Sequence, residues 1–229
     1  GDSVLYNDDQ AFNELGEVAD YFLIHNREIY APLDDSVVVV INNKPRFIRR
    51  SRGYVPEPIH CDGLEQTSIL AMGSDLKNAF AVNKGSEALV GPHIGDLENA
   101  STHKTLEWTI ERYKNLFSIQ PEKIIIDSHP QFFSSRLGER IGESFHLSVI
   151  PVQHHHAHIA SVMAEHNLRG LVLGIAMDGT GYGPDGTIWG GEFLLCKGNQ
   201  YQRLAHIHAA PLPGGEKAVT EPWRQDRKS

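Results

Sequence analysis

Ile69–Gly91, ILAMGSDLKNAFAVNKGSEALVG, is the stretch on which the fold turns. The runs Ile69–Met72, Asn78–Val82 and Ala88–Gly91 have strand length, and short turns separate them, one carrying Asn83-Lys84-Gly85. They predict three linked strands. Downstream, Leu106, Ile110, Tyr113, Leu116 and Phe117 form the apolar stripe of a helix. Strand Lys123–Asp127, a helix around Phe132–Ile141, a buried strand Leu147–Val152, a helix from His154 to Asn167 and strand Leu171–Met177 follow. Linked strands giving way to alternating helix and strand predict an α/β fold, a mixed sheet covered by helices. Upstream, Phe12–Tyr21 reads as a short amphipathic helix, and Val37–Ile41 with Arg46–Arg50 as a hairpin turning through Asn42-Asn43. Pro56, Pro58 and Gly63 mark a linker-like stretch, so the chain divides near residue 60.

The 229 residues carry a formal charge of −8, which argues against broad electrostatic binding to nucleic acid or to a membrane surface. Two cysteines, Cys61 and Cys196, with no CxxC pair, indicate neither a zinc finger nor a disulfide scaffold. No apolar run reaches membrane-spanning length and no signal peptide opens the chain, so a reducing cytoplasm is the expected compartment. Lys44, Arg46, Arg49, Arg50 and Arg52 form one basic stretch, which either lines a phosphate-bearing pocket or is the exposed face of the hairpin. The chain opens Gly1-Asp2-Ser3 and closes on a polar QDRKS just after Glu221-Pro222-Trp223-Arg224 launches a helix. It therefore reads as a piece of a larger protein.

Two motifs carry chemistry. In His154-His155-His156-Ala157-His158, His154 and His158 are four apart and share one helical face, so both can point at one ion. Imidazole suits zinc and iron, and a catalytic site adds a carboxylate and leaves a position open. The spacing matches the HExxH of metalloproteases, but His155 stands where their general base glutamate belongs, so that mechanism is lost. A histidine-rich helix start making caps and core hydrogen bonds is the plainer alternative. The second motif, Asp178-Gly179-Thr180-Gly181-Tyr182-Gly183-Pro184-Asp185-Gly186, formally contains GxGxxG. A dinucleotide fingerprint must open a helix, whereas Thr187–Lys197 reads as a strand, and Tyr182 and Pro184 also break a calcium-loop pattern. What remains is a glycine hairpin that can bring backbone amides close to phosphate. Asp178, at a strand end beside it, is either a third metal ligand, a magnesium contact, or a turn-capping residue.

The order RRSRGYVPEPI, ILAMGSDLKNAF, GPHIGDLEN, VQHHHAHIA, DGTGYGPDGTIWGGEF, PLPGG and EPWR closely resembles the HypF family of hydrogenase-maturation carbamoyltransferases, over nearly the whole chain. Residues 1–58, including His25–Ile29 (HNREI) and Asp34-Asp35-Ser36, look like the end of a YrdC-like domain. Residues 59–229 look like the start of a Kae1-like domain, of the actin/Hsp70/sugar-kinase type, with its second lobe incomplete. The resemblance implies that ATP and carbamoyl phosphate yield a carbamoyl-adenylate. The carbamoyl group then passes to the C-terminal cysteine of a HypE-type acceptor, on the way to a cyanide ligand of the nickel–iron centre. It implies His154, His158 and Asp178 as ligands of one divalent iron or zinc, with Mg2+ accompanying the nucleotide. It implies nucleotide phosphate contacts at Lys77, Asn78, Gly179, Thr180, Gly181, Gly183 and Gly186. Arg27, Arg50 and Arg52 would fall in the adenylate chamber of the preceding domain. No side chain here need be a covalent nucleophile, because the attacking thiol is the partner's. With the acylphosphatase domain, zinc-finger pairs, most of the YrdC-like domain and the second lobe missing, the isolated piece is expected to be inactive.

Three alternatives stand beside this. Antibiotic O-carbamoyltransferases resemble the same two domains but place the Kae1-like one first. A separate tRNA threonylcarbamoyl transferase shares HxxxH but lacks the RRSRGYVPEP junction. The third is a non-catalytic fragment that binds nucleotide or docks a partner.

Overall fold

The computed structural model describes residues 5–221 apart from 28, 30, 65, 210, 212 and 216. The helix predicted to continue from Pro222 and the polar ending lie outside the described residues. The chain forms two compact units, Gly1–Pro151 and Val152–Ser229.

In the first unit, helix α1 (Asp8–Leu15) begins where the Asn7 side chain accepts from Gln10 N. It starts and ends earlier than the predicted Phe12–Tyr21, because the cap rather than the apolar spacing sets the first turn. Strands β1 (Val37–Ile41) and β2 (Lys44–Arg49) form the expected hairpin. Its turn residues Asn42 and Asn43 both take left-handed φ, 51° and 57°, the geometry that matches the twist of paired strands.

A six-stranded sheet follows, ordered β3-β6-β5-β4-β7-β8. Its strands are β3 (Ile59–His60), β4 (Ile69–Ala71), β5 (Ala81–Lys84), β6 (Glu87–Val90), β7 (Lys123–Asp127) and β8 (Ser148–Val152). β4, β5 and β6 form an antiparallel meander, and β7 joins β4 in parallel. Between them run helices α2 (Ala100–Phe117) and α3 (Phe133–Phe145). α2 is opened by Asn99, whose side chain accepts from Ser101 N and Thr102 N, and closed by Ser118 in a left-handed conformation. It buries Leu106, Ile110 and Tyr113, but Leu116 is 64% exposed and lies off the stripe the sequence predicts. α3 sits tightly on the sheet: a Cβ at Gly138 would collide with Ile126, and one at Gly142 with Val149. The core gathers Leu70, Met72, Phe80, Val82, Ile124 and Leu137.

Two expectations need correcting here. The middle strand runs Ala81–Lys84 rather than Asn78–Val82, so Asn83 and Lys84 lie in it and the turn falls at Gly85-Ser86. β8, expected to be buried, exposes Ser148, Ile150 and Pro151.

The second unit opens with helix α4 (His154–Glu165). A three-stranded antiparallel sheet, ordered β13-β12-β9, carries β9 (Val172–Ala176), β12 (Glu192–Lys197) and β13 (Gln200–His206). Between β9 and β12 a two-stranded ribbon, β10 (Gly181–Tyr182) with β11 (Ile188–Trp189), holds the glycine motif. The single strand expected over Thr187–Lys197 is thus broken at Gly190-Gly191, where Gly191 turns at φ 63°. Small residues of β9, Gly174 and Ala176, face inward, while Leu173, Ile175 and Met177 are exposed. A last short helix, α5, spans Lys217–Thr220.

Candidate metal centre

α4 brings the histidines to a common point because its first turn is fixed by Gln153, whose Oε1 accepts from His156 N at 2.9 Å. β9 delivers Asp178 two residues beyond its end. His154 Nε2 lies 2.9 Å and His158 Nε2 3.4 Å from Asp178 Oδ2, and the two ring nitrogens are 3.2 Å apart. One ligand atom from each of the three residues falls within 4.8 Å of the others. For a tetrahedral ion with metal–ligand bonds of about 2.0–2.1 Å, neighbouring ligand atoms sit about 3.3 Å apart. The observed triangle has that size, and its nitrogen and carboxylate donors suit zinc or iron. His158 is exposed, so the triangle has an open side. Burial alone would raise the Asp178 carboxyl pKa, but attraction and hydrogen bonding from His154 and then His158 outweigh it and hold the group below its ordinary range.

The other two histidines turn inward. His155 is fully buried and lies between Gln153 Nε2, 3.1 Å from its Nδ1, and the Asp178 carbonyl, 3.3 Å from its Nε2. His156 Nε2 faces Gly198 O at 3.3 Å, with its ring against Tyr201. Burial, the first cause, lowers the pKa of both and favours the uncharged ring. The plainer reading of a histidine-rich helix start thus describes half the cluster.

The glycine motif is packed against this arrangement. A Cβ at Gly181 would come within 2.6 Å of His155 Cε1. Gly183 N donates to Thr187 O and Gly186 N to Gly183 O, while the Asp185 carboxylate accepts from Thr187 N, Thr187 Oγ1 and Trp189 Nε1. Those bonds, that of Thr187 first, hold the Asp185 carboxyl pKa down. The glycine amides at 183 and 186 therefore work inside the ribbon, and Gly179 and Thr180 are its exposed approach.

Lys77 and Asn78 lie in the first unit, in the β4–β5 connection. Lys77 has φ 49° and its N–H donates to Asp96 Oδ1; buried Asn78 donates through Nδ2 to Met72 O and Ser74 O. Arg50 Nη2 donates to Tyr54 O and Glu57 O. Arg52 Nη2 donates to Leu33 O, and its Nε lies 3.5 Å from Asp35. Arg27 is exposed at a polar cavity of about 390 Å3 that it shares with Tyr6, Asp8 and His25 and whose lining includes neither Arg50 nor Arg52. The structure thus brings together His154, His158 and Asp178, sets the glycine ribbon beside them, and does not gather the three arginines around that cavity.

Sequence reasoning missed Gln153, Glu192 and Arg203. Glutamine is not among the favoured helix caps, so Gln153 carried no signal. Glu192 did leave one, a lone carboxylate in an apolar strand. It is fully buried and held at both oxygens by Arg203, at 2.6 and 2.8 Å, with Gly190 N donating to Oε1.

The first unit carries a three-stranded antiparallel meander continued in parallel by a helix-linked strand and the second a His/His/Asp triangle beside a glycine ribbon, and the family models that match the chain are of the Kae1-like class. A family described as "HypF Kae1-like domain" matches residues 64–165, and "Carbamoyltransferase, Kae1-like Domain, second subdomain" matches residues 174–227. The chain belongs to the HypF family of carbamoyltransferases. Carbamoyltransferase HypF of Synechocystis is 44% identical over 225 residues, 98% of this chain and 29% of that protein. The probable carbamoyltransferase HypF of Methanocaldococcus jannaschii is 35% identical over 95% of this chain and 29% of its own length. The crystal structure of full-length HypF in a phosphate- and nucleotide-bound form superposes with a TM-score of 0.90 at 44% identity, over 97% of this chain and 35% of that one. HypF of T. kodakarensis gives 0.88 at 41% identity, over 96% and 29%. The chain thus spans less than a third of the length of the curated relatives named here.

Proposed function

We propose that this chain is the metal-bearing part of an ATP-dependent carbamoyltransferase of nickel–iron hydrogenase maturation. Residues 1–58 would end a YrdC-like adenylate-forming domain and residues 59–229 begin the Kae1-like transferase domain. The observation that carries the reading is the convergence of His154 Nε2, His158 Nε2 and Asp178 Oδ2 on one point. Support also comes from HypF relatives matched along nearly the whole chain.

His154, His158 and Asp178 would hold one iron or zinc, which supplies Lewis acidity toward a carbamoyl or phosphoryl oxygen when bound. Exposed Gly179 and Thr180 would meet the phosphates of ATP or carbamoyl-adenylate, and Mg2+ would accompany them. In the first unit, Lys77 and Asn78 are phosphate contacts by the family resemblance. Gly181, Gly183 and Gly186 keep that ribbon in shape, Gly181 by leaving room for His155. Arg27, Arg50 and Arg52 would belong to the adenylate-forming side. In the transfer, the C-terminal thiolate of a HypE-type acceptor attacks the carbamoyl carbon. A C–S bond forms, the bond from that carbon to the adenylate oxygen breaks, and AMP leaves. The cytoplasm, where ATP, carbamoyl phosphate and a free thiol coexist, is the compartment for this chemistry; no described helix is long and apolar enough to cross a membrane. Alone, the chain would bind metal and turn over no substrate.

Elemental analysis of purified wild type beside a His154→Ala/His158→Ala variant tests the reading. Near-stoichiometric iron or zinc in the wild type, lost in the variant, is expected. Equal and negligible metal in both would overturn it.

A further inference from the structure

The donors and acceptors around Gln153 leave one consistent assignment. Gln153 is buried, and the atom facing His156 N, 2.9 Å away, must accept, because a backbone N–H only donates. That atom is therefore Oε1, and the other side-chain atom is the amino nitrogen, 3.1 Å from His155 Nδ1 and 3.4 Å from Tyr182 O. An amino group only donates, so Nδ1 of His155 must be bare. The proton of the neutral ring then sits on Nε2, which faces the Asp178 carbonyl at 3.3 Å. Gly191 N, 3.0 Å away, grips the same carbonyl from a second direction. His155 is shut off from water, and among the described residues no other group faces either ring nitrogen.

We propose that Gln153 and His155 are positioning residues that lock the Asp178 carboxylate to the helix carrying His154 and His158, so that the site's metal affinity depends on a hydrogen-bonded relay that touches no metal. The relay runs from the first turn of α4, through the Gln153 amide and the His155 ring, to the backbone of the ligand residue itself. The same amide reaches the ribbon at Tyr182 O, and Gly181 has no side chain because the His155 ring occupies that space. Outer groups that orient a ligand commonly change metal affinity 10–100-fold when removed. The proposal rests on the metal reading above, so the test separates the two.

Long-range 1H–15N correlation spectra of the metal-free chain report which ring nitrogen is protonated. His155 is expected as the Nε2–H tautomer in wild type. Gln153→Glu keeps the cap acceptor but presents a second oxygen to the ring, and is expected to place a proton on Nδ1 that the wild-type ring lacks. Zinc titrations then read the consequence. His155→Phe fills the space without the bond and is expected to weaken zinc binding by about 10–100-fold. His155→Gln, which can still donate to the Asp178 carbonyl, is expected to recover most of that loss. Zinc ignored alike by wild type and His154→Ala/His158→Ala overturns the metal reading and the positioning role with it. Zinc held by wild type, and equally by His155→Phe, overturns the positioning role alone. Should His155→Phe fail to fold, the wild-type tautomer decides: His155 found as the Nδ1–H tautomer overturns the relay.

Discussion

Replacing Arg203 by methionine is expected to cost the second unit roughly 3–5 kcal/mol, the penalty for stranding a buried charge. Glu192 is fully buried on β12 and its carboxylate is bound in a fork by Arg203 from β13. The guanidinium also lies over the Trp189 ring, 4.0 Å from its centre, so its loss removes a cation–π contact as well. The hydrogen bond to Glu192 is the first reason the Arg203 pKa is raised, a sign of how firmly the pair is held. The remaining donor, Gly190 N, cannot neutralise the carboxylate alone. Guanidinium unfolding followed by far-ultraviolet circular dichroism measures the loss. A Glu192→Leu/Arg203→Met double variant is expected to recover most of it, since removing both charges leaves nothing stranded. A single variant as stable as wild type would mean that Glu192 finds another partner or is reached by water.

Phe80→Ala is expected to cost the first unit roughly 3–5 kcal/mol, from lost transfer energy and the cavity left behind. Phe80 is fully buried and meets Tyr113 of α2 edge-on, with ring centres 5.0 Å apart. The site cannot close over the gap easily. Gly91 also abuts the ring, its absent Cβ standing 2.5 Å away, and offers no side chain to fill the space. Phe80→Leu should lose clearly less in urea unfolding followed by far-ultraviolet circular dichroism. Equal losses for leucine and alanine would point to the Tyr113 ring contact, rather than cavity volume, as the source.

Helices α2, α3 and α4 and strands β1, β2, β4, β7, β8 and β9 were legible because their signals are local, whereas β3, β13 and α5 were not read. The α2 stripe, the Asn42-Asn43 turn and the small residues of the glycine ribbon each act within a few positions. Asn83 shows where such signals fail. It reads as a turn residue, yet it sits in β5 because its side chain accepts from Ile69 N and donates to Thr67 O and Gly85 O, bonds that only the assembled sheet supplies. β8 fails for a related reason: apolar composition predicts burial, but which face a strand buries is decided by what packs against it. On β9 the small Gly174 and Ala176 turn inward, and the large residues are exposed. At the site, helical periodicity put His154 and His158 on one face. The division of labour that sends His155 and His156 inward depends on Gln153 and Asp178, one residue before the motif and twenty beyond it.

β9 is an edge strand of its sheet, and it ends two residues before Asp178. On the proposed metal reading, ordering that strand and loading an ion would draw on a shared free energy, and thermodynamic reciprocity would make each promote the other. Amide exchange along Val172–Ala176 should slow when zinc is added and return to its metal-free rate on chelation. In this chain, occupancy of the ion would be audible in the breathing of a strand that never touches it.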